Sequence, residues 1–241
     1  MPVLHWLPQN ALLAALPDDA KLRLSTQLER VQMPLGAVLC EPGLPLRDVY
    51  FPETSVVAIS YAFADGSSAE VALIGSEGVV GVRLLMGAAS LNVRASVQSA
   101  GSGFKLSAKC LSEQMQCSPA LTRVILTYTA SFIGQIVQTA AFNRHGSVEQ
   151  HVCRWLLLSL DRMPGNELTM THESIAEALG VKREGVTEAA GRLRAQGAIS
   201  YRRGHITVLD RRILEVLAGE CYTKNTGAPV QADRALAGGR E

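Results

Sequence analysis

Between Gln9 and Leu28 the apolar positions fall at Leu12, Leu13, Leu16, Leu22, Leu24 and Leu28, interrupted by Pro17-Asp18-Asp19. That spacing predicts two short helices joined as a hairpin. From Val31 to Leu106 the period changes. Short apolar runs alternate with turn residues at Pro34-Leu35-Gly36, Glu41-Pro42-Gly43, Asp65-Gly66-Ser67, Gly75-Ser76-Glu77-Gly78 and Ala100-Gly101-Ser102-Gly103. Many short strands at this spacing predict an antiparallel barrel or jelly roll.

After Ser118-Pro119 the pattern turns helical. Leu121, Ile125, Tyr128, Phe132, Ile136, Thr139 and Phe142 recur at three- and four-residue steps and fall on one stripe of a helix about seven turns long. Such a stripe needs cover: either the same helix of a second subunit, which makes these residues the dimer contacts, or the barrel of its own chain. Asn143-Arg144-His145-Gly146 predicts a hinge, and Val148 to Asp161 a further helix. Beyond Pro164-Gly165-Asn166 come two short helices, Thr171 to Leu179 and Lys182 to Gln196, joined at Gly180. Ala198 to Tyr201 and His205 to Val208 then flank Arg202-Arg203-Gly204 as a hairpin. Helix, tight turn, helix and basic hairpin describe a winged helix-turn-helix. The expected fold class is α+β, divided into a barrel (1–117), a long dimerisation helix (118–145), a DNA-binding unit (146–222) and a tail (223–241) without apolar periodicity, expected to be disordered.

With 241 residues, 47% of them hydrophobic and 19% charged, the chain can bury a substantial core. Its net charge of +1 exerts no global pull on nucleic acid, so a DNA-binding surface has to be a local patch. Five scattered cysteines with no C-x-x-C pair read as reduced packing or surface thiols. The first residues, Met1-Pro2-Val3-Leu4-His5-Trp6, lack the basic start of a secretion signal, and no run of about 18 apolar residues suggests a membrane span. The expectation is a cytoplasmic protein with no membrane partner.

The stretch Leu168-Thr-Met-Thr-His-Glu-Ser-Ile-Ala-Glu-Ala-Leu-Gly-Val-Lys-Arg-Glu-Gly-Val-Thr187, with Gly197-Ala-Ile-Ser-Tyr-Arg-Arg-Gly-His-Ile206 after it, closely resembles the Crp-type DNA-binding domain. Asp48-Val-Tyr-Phe-Pro-Glu53, Gly75-Ser-Glu-Gly-Val-Val-Gly81 and His151-Val-Cys-Arg-Trp-Leu-Leu-Leu158 resemble a branch of the Crp/Fnr family. The resemblance spans roughly residues 10 to 222 in the right order. It implies a cyclic-nucleotide-binding-like barrel, a dimerisation helix and a C-terminal winged helix. The protein would then be a homodimeric transcription regulator on pseudo-palindromic double-stranded DNA, with RNA polymerase as a further partner if it activates.

The second helix of such a motif enters the major groove and reads bases with its N-terminal residues. Here these are Arg183, Glu184, Thr187 and Glu188. Arg183 can give two hydrogen bonds to a guanine edge, and Glu184 can accept from a cytosine amino group; both match the family's base-reading positions. Glu188 departs from the arginine of well-known members, so the target should differ from theirs. Lys182 replaces a small hydroxyl residue at the helix start, losing a capping group and adding a phosphate contact. Thr171 can cap the first helix and leave its positive end free for a phosphate. Arg192, Arg202, Arg203 and His205, with Arg194 nearby, are expected to add phosphate contacts.

In cyclic-nucleotide-binding relatives a cassette after a glycine turn supplies a glutamate to the ribose and an arginine to the phosphate. Here it reads Gly81-Val-Arg-Leu-Leu-Met-Gly-Ala-Ala-Ser-Leu-Asn-Val-Arg94. Val82 holds the glutamate position and cannot accept a hydrogen bond, while Arg94 and Arg83 compete for the arginine role. Cyclic-nucleotide binding is therefore not the expectation. There is no N-terminal cysteine cluster for iron and sulfur, and His5 reads as incidental and not as a haem ligand; the cofactor stays unknown. A cupin-like metalloenzyme is disfavoured because Val31 to Leu106 contains no histidine. A dimeric scaffold that has lost its DNA target is the remaining alternative, since Glu184 and Glu188 share one face.

Overall fold

The computed structural model describes residues 8–222, apart from 45, 65, 87–91, 164 and 203. Two helices open it, α1 (Ala11–Ala14) and α2 (Asp18–Ser25). Asn10, fully buried, starts α1: its Oδ1 accepts the Leu13 amide at 2.9 Å while its Nδ2 donates to the carbonyls of Pro52 and Gly78 at 2.8 and 2.9 Å. One side chain thus caps the helix and ties it to the barrel.

Seven strands follow: β1 (Glu29–Met33), β2 (Val38–Cys40), β3 (Asp48–Pro52), β4 (Val56–Ala62), β5 (Ser68–Ile74), β6 (Val93–Ser99) and β7 (Gly101–Ser107), with a 3-10 turn at Val82–Met86. All pairings are antiparallel, in two sheets ordered β1-β7-β3 and β2-β6-β4-β5. Met33, Val57, Ile59, Ile74, Val80 and Val97 fill the space between them, giving a jelly-roll-like core. β4 is buried on both faces from Val56 to Ile59. Val57 and Ile59 look into the barrel, whereas Val56 and Ala58, with Leu73, meet Leu158 of the C-terminal helices. The outer face of the four-stranded sheet is therefore a docking platform, which explains an unbroken apolar run where a solvated sheet would alternate.

Three helices continue: α3 (Ala108–Cys117), α4 (Pro119–His145) and α5 (Val148–Leu160). Ser118 accepts the Leu121 amide at 3.3 Å and Pro119 occupies the first turn, a favoured start for α4. The stripe Leu121, Ile125, Tyr128, Phe132, Ile136, Thr139 faces inward. Leu121 and Ile125 are buried, Tyr128 donates to the Val79 carbonyl at 3.2 Å, and Phe132 and Ile136 pack on the barrel core. Reading them as dimer contacts is corrected accordingly: they belong to the chain's own barrel. The opposite face leaves Leu126, Ile133 and Val137 at 54%, 51% and 61% exposure. Because α4 is apolar on two faces it is, by length and composition alone, long and apolar enough to cross a bilayer, contrary to the sequence expectation.

α4 runs through the predicted break and stops at Gly146. Ser147 and Gln150 form a reciprocal capping box at the start of α5, and the His151 Nε2 lies 3.0 Å from the Phe142 carbonyl. A Cβ on Gly146 would come within 2.5 Å of that nitrogen, so any larger residue has to displace the His151 ring.

Polar contacts lock α5 to the barrel. Arg162, just beyond it and almost wholly buried, pairs with Glu77 at 2.7 Å and donates to Gln135 of α4 at 3.2 Å. Trp155 donates to Glu70 of β5 at 3.2 Å. Burial pushes the Glu70 carboxyl up to about 8, against the opposing pull of Trp155, Arg162 and Arg154.

Candidate nucleic-acid interface

Beyond α5 lie β8 (Glu167–Thr169), α6 (His172–Leu179), α7 (Arg183–Ala195), β9 (Ile199–Arg202), β10 (His205–Val208) and α8 (Arg211–Ala218). β8, β10 and β9 pair antiparallel as a small wing sheet. α6 ends at Gly180, whose φ of 65° makes the left-handed turn between the two helices. On α7, Val186, Ala189, Ala190 and Leu193 are buried, whereas Arg183, Glu184, Thr187 and Glu188 are exposed. Residues at i, i+1, i+4 and i+5 line one face, so all four expected readers project together from the first two turns.

Thr171 caps α6 as expected, its Oγ1 accepting the Ser174 amide at 3.1 Å. Lys182 occupies the N-cap of α7 without a side-chain cap bond and is exposed. Arg202 and His205 sit opposite one another across the wing and are exposed, His205 Nδ1 lying 3.3 Å from the Thr169 hydroxyl. Arg203 lies outside the described residues, as do His5 and the 223–241 tail.

Several of the expected basic residues have partners within the chain. Arg192, more than two turns after Arg183, is exposed and pairs with Glu149 at the start of α5 at 3.2 Å, which braces α7 against α5. In the barrel the three candidate effector residues are engaged by the chain itself. Arg94 is exposed and forked onto Glu41 at 3.1–3.2 Å, Val82 is packed in the core beside Val49 and Leu106, and Arg83 is held by the Cys40 sulfur at 3.0 Å. The pairing of Arg94 with Glu41 links residues 53 apart and left no local trace in the sequence.

One residue escaped sequence reasoning. His172, the first residue of α6, stacks on Tyr201 of the wing at 4.2 Å between ring centroids, and its Nδ1 lies 3.1 Å from the Thr187 hydroxyl. Thr187 in turn donates to the Arg183 carbonyl at 3.0 Å. His172 thereby joins both helices and the wing at the reading end. Burial, then the Arg183 charge, lowers its pKa below the ordinary imidazole value. Arg183 is steadied by Glu173 at 3.6 Å, both side chains being well exposed.

Residues 150–217 match the family described as the Crp-like helix-turn-helix domain. Over 213 residues the chain is 29% identical to the global nitrogen regulator of Synechococcus elongatus, covering 84% of this chain and 94% of that protein. Among solved structures it is similar to FixK2 from Bradyrhizobium japonicum, with a TM-score of 0.68 at 19% identity over 80% of this chain and 98% of that one. It is also similar to a transcriptional regulator of the CRP/FNR family from Thermus thermophilus, with a TM-score of 0.62 at 22% identity over 79% and 98%. Residues 150–217 thus carry a Crp-like helix-turn-helix domain whose second helix is exposed, and along most of its length the chain shares the fold of CRP/FNR-family regulators.

Proposed function

We propose that two copies of this chain bind one pseudo-palindromic DNA site, each placing the start of α7 in the major groove. The exposed row Arg183, Glu184, Thr187 and Glu188 carries this reading. Arg183 supplies paired donors for guanine. Glu184 and Glu188 accept from cytosine and are repelled by phosphate, which favours cytosine-containing half-sites. Lys182, Arg202, His205 and the capped α6 terminus at Thr171 hold the backbone, with Arg203 as a further candidate from the sequence alone.

The same proposal assigns the second subunit to the outer face of α4. Arg123, Leu126, Ala130, Ile133, Val137 and Ala140 are exposed and follow one another at alternating steps of three and four residues. This is the spacing of a two-helix seam, with alanines that let the backbones approach. A DNA-bound regulator works where the DNA is, so we assign it to the cytoplasm, with RNA polymerase as an added partner where it activates.

Selection of duplexes from a random pool at about 0.15 M salt, where phosphate-only binding is weak, tests the reading. Recovery of an inverted repeat with half-sites about one helical turn apart is expected. Recovery of no sequence preference, with and without cell extract, would leave only the scaffold reading.

A further inference from the structure

We propose that the cleft between the barrel's outer sheet and the strand leading into the helix-turn-helix binds a small, uncharged planar molecule. Its ligand would present a hydrogen-bond donor and an acceptor side by side to Gln98. The cleft holds about 260 Å³ and is walled mainly by Leu35, Val56, Met163, Leu168 and Met170, with Gln98 on the β6 side. That volume lies a little below the range of drug-sized pockets and suits a one- or two-ring molecule.

Gln98 carries the argument. Along β6 the side chains of Ala95 and Val97 enter the barrel core, so Gln98 points outward into the cleft. Its Oε1 and its Nε2 are both buried, and neither has a hydrogen-bond partner. A buried amide with both ends unmatched is rare in a folded chain and calls for a reason. A ligand supplies one: a lactam, primary amide or similar edge offers an N–H to the Gln98 oxygen and an acceptor to its NH₂ in a single plane. No lysine or arginine lines the cleft among its described residues, and Glu167 does, so a phosphate-bearing ligand is disfavoured.

The position gives such a ligand a lever on the reading unit. Leu168, Thr169 and Met170 run directly into the Thr171 cap of α6, and the Met170 amide donates to the Gly204 carbonyl of the wing at 2.8 Å. A molecule filling the cleft would bridge barrel and reading unit. This consequence rests on the DNA-reading proposal above; the binding itself does not.

The test uses the full chain, titrated with 2-pyridone and uracil while amide chemical shifts are followed by NMR. N-methyl-2-pyridone, which keeps the ring and loses the donor, is the control. The expected result is saturable shifts around Gln98 and Met170, at least tenfold weaker for the N-methyl compound and for Gln98→Met, with the variant's folded spectrum retained. No saturable shifts with either lactam, equal binding of the N-methyl compound, or unchanged binding by Gln98→Met would each overturn the site. Sequence preference on DNA is measured separately, so its absence would sink the regulatory consequence while leaving the binding result to stand or fall alone.

Discussion

Ile133→Ser should separate the two subunits without unfolding either. Ile133 keeps 51% of its exposure in the single chain, so about half of its burial remains for a partner. Fully burying an isoleucine is worth about 1.5–3 kcal/mol. Half of that, counted twice because two-fold symmetry places the residue on both chains, gives about 1.5–3 kcal/mol per dimer. The dimer dissociation constant should therefore rise about 10- to 150-fold. Serine and isoleucine have similar helix propensities, so α4 itself should hardly notice. Sedimentation equilibrium over a concentration series measures the constant, and thermal unfolding checks the fold. Ile125→Ala is the counterpart: at 1% exposure it packs on the barrel and should cost about 2–5 kcal/mol of folding stability. Should Ile125→Ala split the dimer while Ile133→Ser leaves it intact, the assignment of the two faces of α4 is wrong.

Three further outcomes are expected. Arg183→Ala should cost about 1–3 kcal/mol in binding to the selected site, while Arg192→Ala, which frees only Glu149, should leave base preference unchanged; a fluorescence-anisotropy titration against site and mutated-site duplexes reads both. Glu70 should make folding stability fall as pH rises from about 4.5 to about 8: its folded-state carboxyl holds the proton over that window while the unfolded chain has released it, so the cost is fully present only above about 8. Glu70→Gln, which keeps an oxygen for Trp155, should flatten that slope in urea titrations, and an unaltered slope would contradict the assignment. Gly146→Ala should lower the melting temperature and disturb the His151 ring, because the new methyl and the imidazole claim the same space; an unchanged His151 NMR signal would refute that.

The reading helix was legible because its signals are local. The period of Val186, Ala189, Ala190 and Leu193, the Thr171 cap and the Gly180 turn all lie within a few residues of what they determine. The orientation of α4 was not. A helix apolar on two faces has two stripes, and the one with the larger side chains drew the dimer assignment while the barrel claimed it. Only the third dimension separates Ile125 from Ile133. The partners of Arg94 and Arg192 were hidden for a related reason, since a basic side chain shows its charge in the sequence while its partner, Glu41 or Glu149, is brought in by the fold. His172 and Gln98 carried no motif at all, and their interest comes from what surrounds them.

The close joint at Gly146 makes α4 and the C-terminal helices a stiff arm. At about 1.5 Å per residue, the 27 residues of α4 span about 40 Å. Because α4 lies on the barrel from Leu121 to Ile136 and α5 is locked to it, barrel, arm and reading unit turn as one body, and turning that body by about 5° carries a point about 40 Å from the pivot by about 3.5 Å, close to the rise of one base step along a DNA strand. In the proposed dimer, a change at the contact between the two α4 helices too small to alter any strand pairing therefore puts the two reading helices one base pair in or out of step.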